Sequence, residues 1–194
     1  MKTIEKLGVD VGGVIIDRVN DASDTSFFGD NYLQTTSVPG ALAALRRLNR
    51  GRFAGRVYLV SKCGARVQAK TLAWLAHHDF YGTTGIAPEH VHFCRQRQDK
   101  AGICAALGIT HFVDDRLEVL GYLTTVPARY LFRPDPAEVA RYAHVLPEVR
   151  RVESWAELLR DLLPPRRRGR IGGEGGTQAL EAGAEVAGGQ AEGA

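Results

Sequence analysis

The feature that most constrains the fold is an apolar run near the start of the chain that leads into a single carboxylate. Residues 6–16 read KLGVDVGGVII, so Asp10 is followed by Val11 and by the glycine pair Gly12 and Gly13. The run predicts a buried strand, and the two glycines predict a turn whose backbone approaches a ligand closely. Open α/β sheets bind ligands at the carboxyl ends of their central strands. The first strand is therefore expected to deliver Asp10 to a binding site.

Three later stretches place polar or charged side chains at the ends of predicted strands or at the start of a predicted helix. The run RVYLVS predicts a strand that ends at Ser61 and is followed by Lys62, and HFVDD predicts a strand that ends in Asp114 and Asp115. Lys100 lies at the start of a predicted helix. Because the carboxyl ends of parallel strands meet at one edge of a sheet, we expect these groups to gather around the first acid. An acid, a hydroxyl, a lysine and an acid pair are the groups needed to handle a phosphate and a metal.

Short apolar runs alternate with helical patterns along the rest of the chain, which predicts an α/β fold. We expect a Rossmann-like parallel sheet of about five strands with helices on both faces. Residues 80–88 are predicted to be a Gly-rich connection. The further predicted strands are 56–60, 90–93, 110–113 and 128–132. The predicted helices are 39–50, 65–77 and 98–107. Two more helices are predicted near the end of the domain, one that starts at Asp135-Pro136 and one that begins with a capping box from Ser154 to Glu157.

Two segments lack this alternating pattern. Residues 17–36 are polar and aperiodic, which predicts a loop or short hairpin flap after the first strand, and long loops of this kind are often functional lids. Residues 165–194 are first basic and then dominated by Gly, Ala, Glu and Gln, so they cannot bury enough apolar surface to become ordered. Residues 1–164 are thus predicted to form one domain, and residues 165–194 a disordered tail.

Composition and charge predict which partners and which cellular compartment we expect for the protein. The formal net charge of +3 owes much to the arginines at 166–170, so nucleic-acid binding is not indicated. No apolar run approaches the ~20 residues of a membrane span. The three cysteines show no CxxC pairing, and the N-terminus runs directly into the first strand without room for a cleaved leader. We therefore expect a soluble, cytoplasmic protein with free thiols and no membrane partner.

Taken in order, four motifs resemble those of the haloacid dehalogenase-like (HAD) superfamily of phosphohydrolases. The resemblance covers roughly residues 5–163 and implies a Mg2+-dependent hydrolase that acts on a phosphorylated small molecule or macromolecule. The motifs are Asp10-Val11-Gly12-Gly13 after a strand, Ser61 at the end of a strand, Lys100 at a helix start, and Asp114-Asp115 after a strand.

The resemblance implies that Asp10 is the nucleophile and that Ser61 and Lys100 assist it. A carboxylate can attack phosphorus to form an aspartyl-phosphate, which water later hydrolyses. The phosphoryl oxygens then need positive charge and hydrogen-bond donors. The groups implied to bind these oxygens are the backbone amides of Val11 and Gly12 and the side chains of Ser61, Lys62 and Lys100.

The resemblance also implies a metal site made of oxygen ligands. Mg2+ is a hard cation that prefers such ligands and offsets phosphate charge. The implied ligands are Asp10, the carbonyl of Gly12, and Asp114 or Asp115, of which Asp114 is favoured.

One position departs from the family pattern. The resemblance places a second aspartate two residues after the nucleophile, where it protonates the leaving alcohol, but this chain has Gly12 there. General acid catalysis is typically worth ~10²–10⁴-fold in rate. Three hypotheses follow: the enzyme acts on good leaving groups such as acyl phosphates, another acid such as Asp17 replaces the donor, or the domain only binds a phosphorylated ligand or protein partner.

No large cap is inserted between the motifs. The resemblance implies that members without a cap take larger or macromolecular substrates, or close their sites by homo-oligomerisation.

Other interpretations of single motifs stay open at this point. Asp-Val-Gly-Gly also occurs in actin-like sugar kinases, although those need two such domains, and the GxGxxG of dinucleotide sites is absent. His90, His92 and Cys94 alternate along one predicted strand in a pattern that resembles zinc ligands, although edge-strand histidines and a buried thiol are favoured. For Cys63, near the predicted site, a packed thiol is favoured over a redox role.

Overall fold

A parallel sheet of six strands lies at the centre of the described structure, a computed structural model that covers residues 4–18 and 29–163. The strands follow the order β3-β2-β1-β4-β5-β6, and all neighbouring pairs are parallel. This is the Rossmann strand order, in which β1 lies centrally. The strands are β1 (Leu7–Val9), β2 (Val57–Lys62), β3 (Val91–Cys94), β4 (His111–Asp114), β5 (Ala128–Phe132) and β6 (Arg150–Val152).

Helices flank the sheet in the described ranges. Short 3-10 helices also occur at Tyr32–Gln34, Pro88–His90 and Ala143–Glu148. The α-helices are α1 (Ala41–Arg50), α2 (Ala65–His77), α3 (Phe80–Thr84), α4 (Asp99–Leu107), α5 (Leu117–Tyr122), α6 (Pro136–Arg141) and α7 (Trp155–Leu162).

Two hydrophobic cores hold these helices on opposite faces of the sheet. The first core joins β1 to α1, α2, α3 and α7, and the second joins β4 to α4 and α5. Leu7 and Val9 point into the first core, so the alternation of the strand turns Gly8 toward the second. A Cβ on Gly8 would lie 2.4 Å from the ring of Phe112. The glycine therefore lets this ring pack directly across the central strand.

The structure confirms the predicted α/β class, with a parallel sheet flanked by helices. The last helix is capped at Ser154 as predicted, because Ser154 Oγ accepts from the Glu157 N–H. The reciprocal half of the predicted capping box is displaced by one residue, because Glu157 Oε2 accepts from the Glu153 N–H and not from that of Ser154. The sixth strand, β6, is a three-residue edge strand that the sequence did not reveal. The connection predicted at 80–88 was wrong in its first half, where α3 forms between Asp79 and Gly85.

The flap predicted at residues 17–36 is described only at its two ends. The Asp17 N–H donates to the Thr36 carbonyl at 2.9 Å, and Ile16 forms an antiparallel bridge with Ser37. Residues 19–28 lie outside the described residues, as does the tail predicted at 165–194. Within the described part of the chain, no helix has the length and apolar character needed to cross a membrane.

A buried histidine at the start of β4 joins a polar network at the amino edge of the sheet. Arg52 Nη2 lies 3.1 Å from His111 Nε2, and because arginine can only donate, the ring proton resides on Nδ1, 2.8 Å from Thr110 Oγ1. Glu5 accepts from the same guanidinium at 2.5 Å. Burial and the adjacent Arg52 lower the pKa of His111, with Glu5 opposing them.

This network predicts a pH dependence of stability. Since the pKa of His111 is lower in the folded state, the unfolded chain binds more protons below pH ~6.5, and the free energy of unfolding decreases as the pH falls. We expect His111→Gln to make the free energy of unfolding fall less between pH 7.5 and 5.5 than it does in the wild type, as measured in urea titrations at both pH values. His77→Gln, at an exposed position on α2, is the matched control. Equal pH dependence in wild type and His111→Gln would contradict this assignment.

Candidate active site

A cleft of about 550 Å³ opens at the carboxyl edge of the sheet, beside the ends of β1 and β2 and the start of α4. The strand order reverses direction between β1 and β4, and ligands bind at such switch points. The cleft is lined by the loop after β1, the end of β2 and the starts of α2, α4 and α5. Its polar and charged lining side chains are Asp10, Asp17, Arg18, Ser61, Lys62, Cys63, Thr71, Arg97, Lys100, Asp114 and Arg116.

A buried lysine joins the two central strand ends. Lys100 Nζ lies 2.7 Å from Asp10 Oδ1 and 2.8 Å from Asp114 Oδ2. The lysine side chain is 2% exposed and projects from the first turn of α4. The other oxygen of Asp114, Oδ1, accepts from the Arg116 N–H at 2.9 Å. Lys100 thus clamps β1 to β4 where both strands end in an acid.

The third carboxylate lies behind the cleft lining. Asp115 is 5% exposed, and its Oδ2 forms an ion pair with Arg18. Its Oδ1 is buried and has no hydrogen-bond partner among the described residues. Gly13 packs against this carboxylate, because a Cβ there would lie 2.5 Å from Oδ2, and the φ of Gly13 is +80°. Glycine at this position therefore makes room for the buried acid.

Burial and mutual repulsion shift the charges of this cluster. Burial opposes the charge on Lys100, but the carboxylates of Asp10 and Asp114 outweigh it and raise the pKa of the lysine. Burial raises the pKa of Asp114, with Lys100 opposing it. Burial, followed by the charges of Asp114 and Asp10, raises the pKa of Asp115. Lys100 and Arg18 therefore offset only part of the cost of burying three carboxylates close together.

The cluster fits a hard divalent cation. One oxygen from each of Asp10, Asp114 and Asp115 lies within 4.8 Å of the others. The unpartnered Oδ1 of Asp115 is a buried acceptor that needs a partner. Carboxylate oxygens are the ligands that Mg2+ prefers. The donor set and the repulsion among the three carboxylates thus agree with a divalent metal.

The loop after β1 leaves an open space beside the first acid. The N–H groups of Ile15 and Ile16 both donate to the Val11 carbonyl at 2.9 Å, which folds the loop back on itself. A Cβ on Gly12 would meet no atom within 4 Å. Within the described part of the chain, the backbone N–H groups of Val11 and Gly12 donate to no protein acceptor. These amides are available to a ligand.

The end of β2 forms the opposite wall of the cleft. Ser61 is 8% exposed, while Lys62 is exposed at the strand end. Cys63 is buried, and burial raises its pKa, which agrees with a packed thiol. The Arg95 guanidinium donates to the Cys63 carbonyl at 3.0 Å and fixes this turn.

The structure brings the predicted site residues to one place, with one difference in position. Asp115, predicted as a metal ligand together with Asp10, Gly12 and Asp114, does not line the cleft but contacts it from behind. The lining residues that the sequence did not single out are Arg18, Val67, Thr71, Arg97, Arg116 and Val119. They lie on loops and helix starts that only the folded chain brings together.

The zinc interpretation of the β3 histidines has no support among the described residues. His90 Nδ1 lies 3.0 Å from the Val57 carbonyl, and Cys94 Sγ donates to the Ser61 carbonyl. These residues form no group of three close ligands in the described ranges. The favoured interpretation, edge-strand histidines with a buried thiol, agrees with these contacts.

Comparison with known proteins adds a distant structural likeness. No family model matches the chain, and no curated protein matches it. Among solved structures, it is similar to the cobalt-bound form of the deoxy-D-mannose-octulosonate 8-phosphate phosphatase from Haemophilus influenzae. The identity is 14%, the alignment covers 82% of this chain and 86% of that chain, and the TM-score is 0.49. A likeness of this extent carries no conclusion about activity.

The contact between Gly13 and Asp115 predicts an unusual cost for a small substitution. Gly55 has nearly the same φ, +81°, but a Cβ there would meet nothing within 4 Å. We expect Gly55→Ala to lower the free energy of unfolding by about 1–2 kcal/mol through backbone strain alone. Gly13→Ala should cost about 1–3 kcal/mol more, because the methyl group collides with a buried carboxylate. Urea titrations of both variants test this expectation, and equal losses would show that Asp115 moves aside freely.

Proposed function

We propose that this protein is a HAD-like, Mg2+-dependent phosphohydrolase that acts through an aspartyl-phosphate intermediate. The observation that carries the proposal is the Lys100 clamp on Asp10 and Asp114, at the carboxyl edge of the sheet and inside a cleft. A buried cation between two carboxylates, beside free backbone amides, is an arrangement suited to phosphate chemistry. We also propose a cytoplasmic location and a phosphorylated ligand.

Asp10 is the nucleophile in this proposal. One of its carboxylate oxygens forms a bond to phosphorus while the bond from phosphorus to the leaving oxygen breaks. Water then attacks the aspartyl-phosphate and releases inorganic phosphate. Lys100 holds Oδ1 of Asp10 and fixes the orientation of the carboxylate before attack.

The remaining cleft residues bind the phosphoryl oxygens. Val11 and Gly12, whose N–H groups donate to no acceptor among the described residues, line the cleft with Asp10, as do Ser61 and Lys62 at the end of β2. Such preorganised donors stabilise the charge that develops in the transition state. When bound by Asp10, Asp114, Asp115 and the carbonyl of Gly12, Mg2+ would offset the charge of the phosphoryl group.

The absence of a side chain at Gly12 determines which esters we expect the enzyme to hydrolyse. Without a proton donor there, a leaving alcohol departs as an alkoxide, which favours substrates with acidic leaving groups. Asp17, the other acid considered for this role, lines the cleft and lies 3.5 Å from Arg133 Nη1. We therefore propose acyl phosphates or similarly reactive esters as the preferred substrates.

A second candidate function is supported by the same position. The cleft has space for a side chain at Gly12 but no proton donor there, which is compatible with a pocket that binds phosphate without catalysis. In that case the domain binds a phosphorylated ligand or protein partner without turnover. The retention of Asp10, Ser61, Lys100 and Asp114 around one cleft favours the enzyme.

The nucleophile is tested with p-nitrophenyl phosphate, whose leaving group is acidic enough to depart without a proton donor. We expect Mg2+-dependent turnover by the wild type, its loss on addition of a chelator, and at least a ~10³-fold loss of kcat in Asp10→Asn. Glu89→Gln, which removes an exposed acid outside the cleft, is the control. No turnover above that of folded Asp10→Asn would rule out the hydrolase and support the binding domain.

The role of Gly12 is tested by restoring the missing acid. Because a Cβ at this position meets nothing within 4 Å, the backbone has room for a side chain, and Gly12→Asp is a practicable variant. We expect it to raise the ratio of kcat/KM for butyl phosphate to that for p-nitrophenyl phosphate by about 10²-fold. Gly12→Asn, which has the same size but no acidic proton to transfer to the leaving oxygen, is the control. If the wild-type ratio is already as high as that of Gly12→Asp, another group protonates the leaving oxygen.

A further inference from the structure

Three arginines from separate segments lie between the cleft and a neighbouring depression. Arg18 follows the β1 loop, Arg97 precedes α4, and Arg116 precedes α5. All three line both the cleft and the adjacent cavity of about 350 Å³. Their side chains are 52%, 36% and 34% exposed, respectively. A ligand that extends from the cleft therefore meets three guanidinium groups at its mouth.

Largely buried acids hold two of these arginines in place. Arg97 Nη1 donates to Glu118 Oε2 at 2.5 Å, and Arg116 Nη1 donates to Glu138 Oε2 at 3.0 Å. Glu118 and Glu138 are only 14% and 12% exposed. Each contact uses one nitrogen of a guanidinium that carries five N–H donors, so both groups are preorganised and still have donors to offer.

The reacting phosphate does not require these arginines. In the function proposed above, the donors to the phosphoryl oxygens are the amides of Val11 and Gly12, the hydroxyl of Ser61 and the ammonium group of Lys62, which all line the cleft. Lys100 is occupied by two carboxylates and positions Asp10. Each member of the arginine triad (Arg18, Arg97 and Arg116) already forms an ion pair with one acid. What the triad adds is therefore a set of unused guanidinium N–H donors, beyond those that bind the first phosphate group.

We propose that the arginine triad binds a second phosphate group, so that the ligand of this cleft is a small molecule with two phosphates. This inference rests on the proposed function for the position of the first phosphate. Guanidinium groups bind phosphate through paired N–H donors, and three of them match the three terminal oxygens of a phosphate better than the two of a carboxylate. A cleft of about 550 Å³ has the size of a small-molecule site.

The test compares 1,ω-alkanediol bisphosphates of two to six carbons with the monophosphates of the same diols. Calorimetric titration in Mg2+ with Asp10→Asn protein measures binding without turnover. At the best chain length, we expect the bisphosphate to bind ~10–100-fold more tightly than its monophosphate, because the second phosphate forms additional charge-assisted hydrogen bonds. The double variant Arg97→Gln/Arg116→Gln should reduce this ratio to about threefold or less, by the same loss of hydrogen bonds.

Two further variants keep the result interpretable. Arg97→Lys/Arg116→Lys retains charge beside Glu118 and Glu138 and preserves folding, but it loses the paired donors and should lower the ratio several-fold. Arg46→Gln/Arg47→Gln removes the same charge from exposed positions of α1 and should leave the ratio unchanged.

Equal affinity for bisphosphate and monophosphate at every length would overturn the proposal, as would a preference that survives in both arginine variants. The outcome is independent of hydrolysis. If wild-type protein fails to hydrolyse p-nitrophenyl phosphate but prefers bisphosphates through these arginines, the hydrolase is wrong and the second phosphate site stands. If hydrolysis proceeds without such a preference, only the second phosphate site is wrong.

Discussion

The ammonium group of Lys100 holds together the two strand ends on which the site depends. It lies within 2.8 Å of carboxylates on both β1 and β4 and is almost completely buried. Removing charges from water costs several kcal/mol per ion, and apolar residues of similar volume often stabilise a fold as well or better. Stability alone therefore gives little reason for this triad of charges. Its position in an open cleft, at a switch point of the sheet, gives a functional reason.

The backbone makes the burial of these charges sterically feasible. Gly8 allows the Phe112 ring to pack across β1, and the centroid of that ring lies 5.6 Å from Lys100 Nζ. Gly13, with its positive φ, leaves room for the carboxylate of Asp115. Two glycines within six residues thus make room for two buried groups of the site, the ring beside the lysine and the carboxylate of Asp115. The contacts of Gly8 and Gly13 therefore serve both the packing of the core and the burial of the charged groups in the site.

The parts of the site that could be predicted from the sequence are those attached to regular elements. Asp10, Ser61 and Asp114 end buried strands, and the parallel order brings such ends together wherever the helices lie. The arginine triad could not be predicted in this way, because its members lie on loops whose approach depends on tertiary packing. The strand β6 and the helices α3 and α5 were missed for a related reason, since elements of three to six residues carry no clear periodicity.

In the function proposed above, the lack of a proton donor at Gly12 and the unused donors of the arginine triad have opposite effects on the energy of the transition state. General acid catalysis contributes ~10²–10⁴-fold, or about 3–5 kcal/mol of transition-state stabilisation. A hydrogen bond to a charged group contributes about 1.5–3 kcal/mol, so two or three of them at the mouth of the cleft match that loss. Binding energy from a non-reacting part of a substrate can lower the barrier at the reacting centre when it holds the phosphate against the nucleophile. A cleft without a proton donor at Gly12 can thus remain an effective catalyst for a ligand whose second phosphate is bound by Arg18, Arg97 and Arg116.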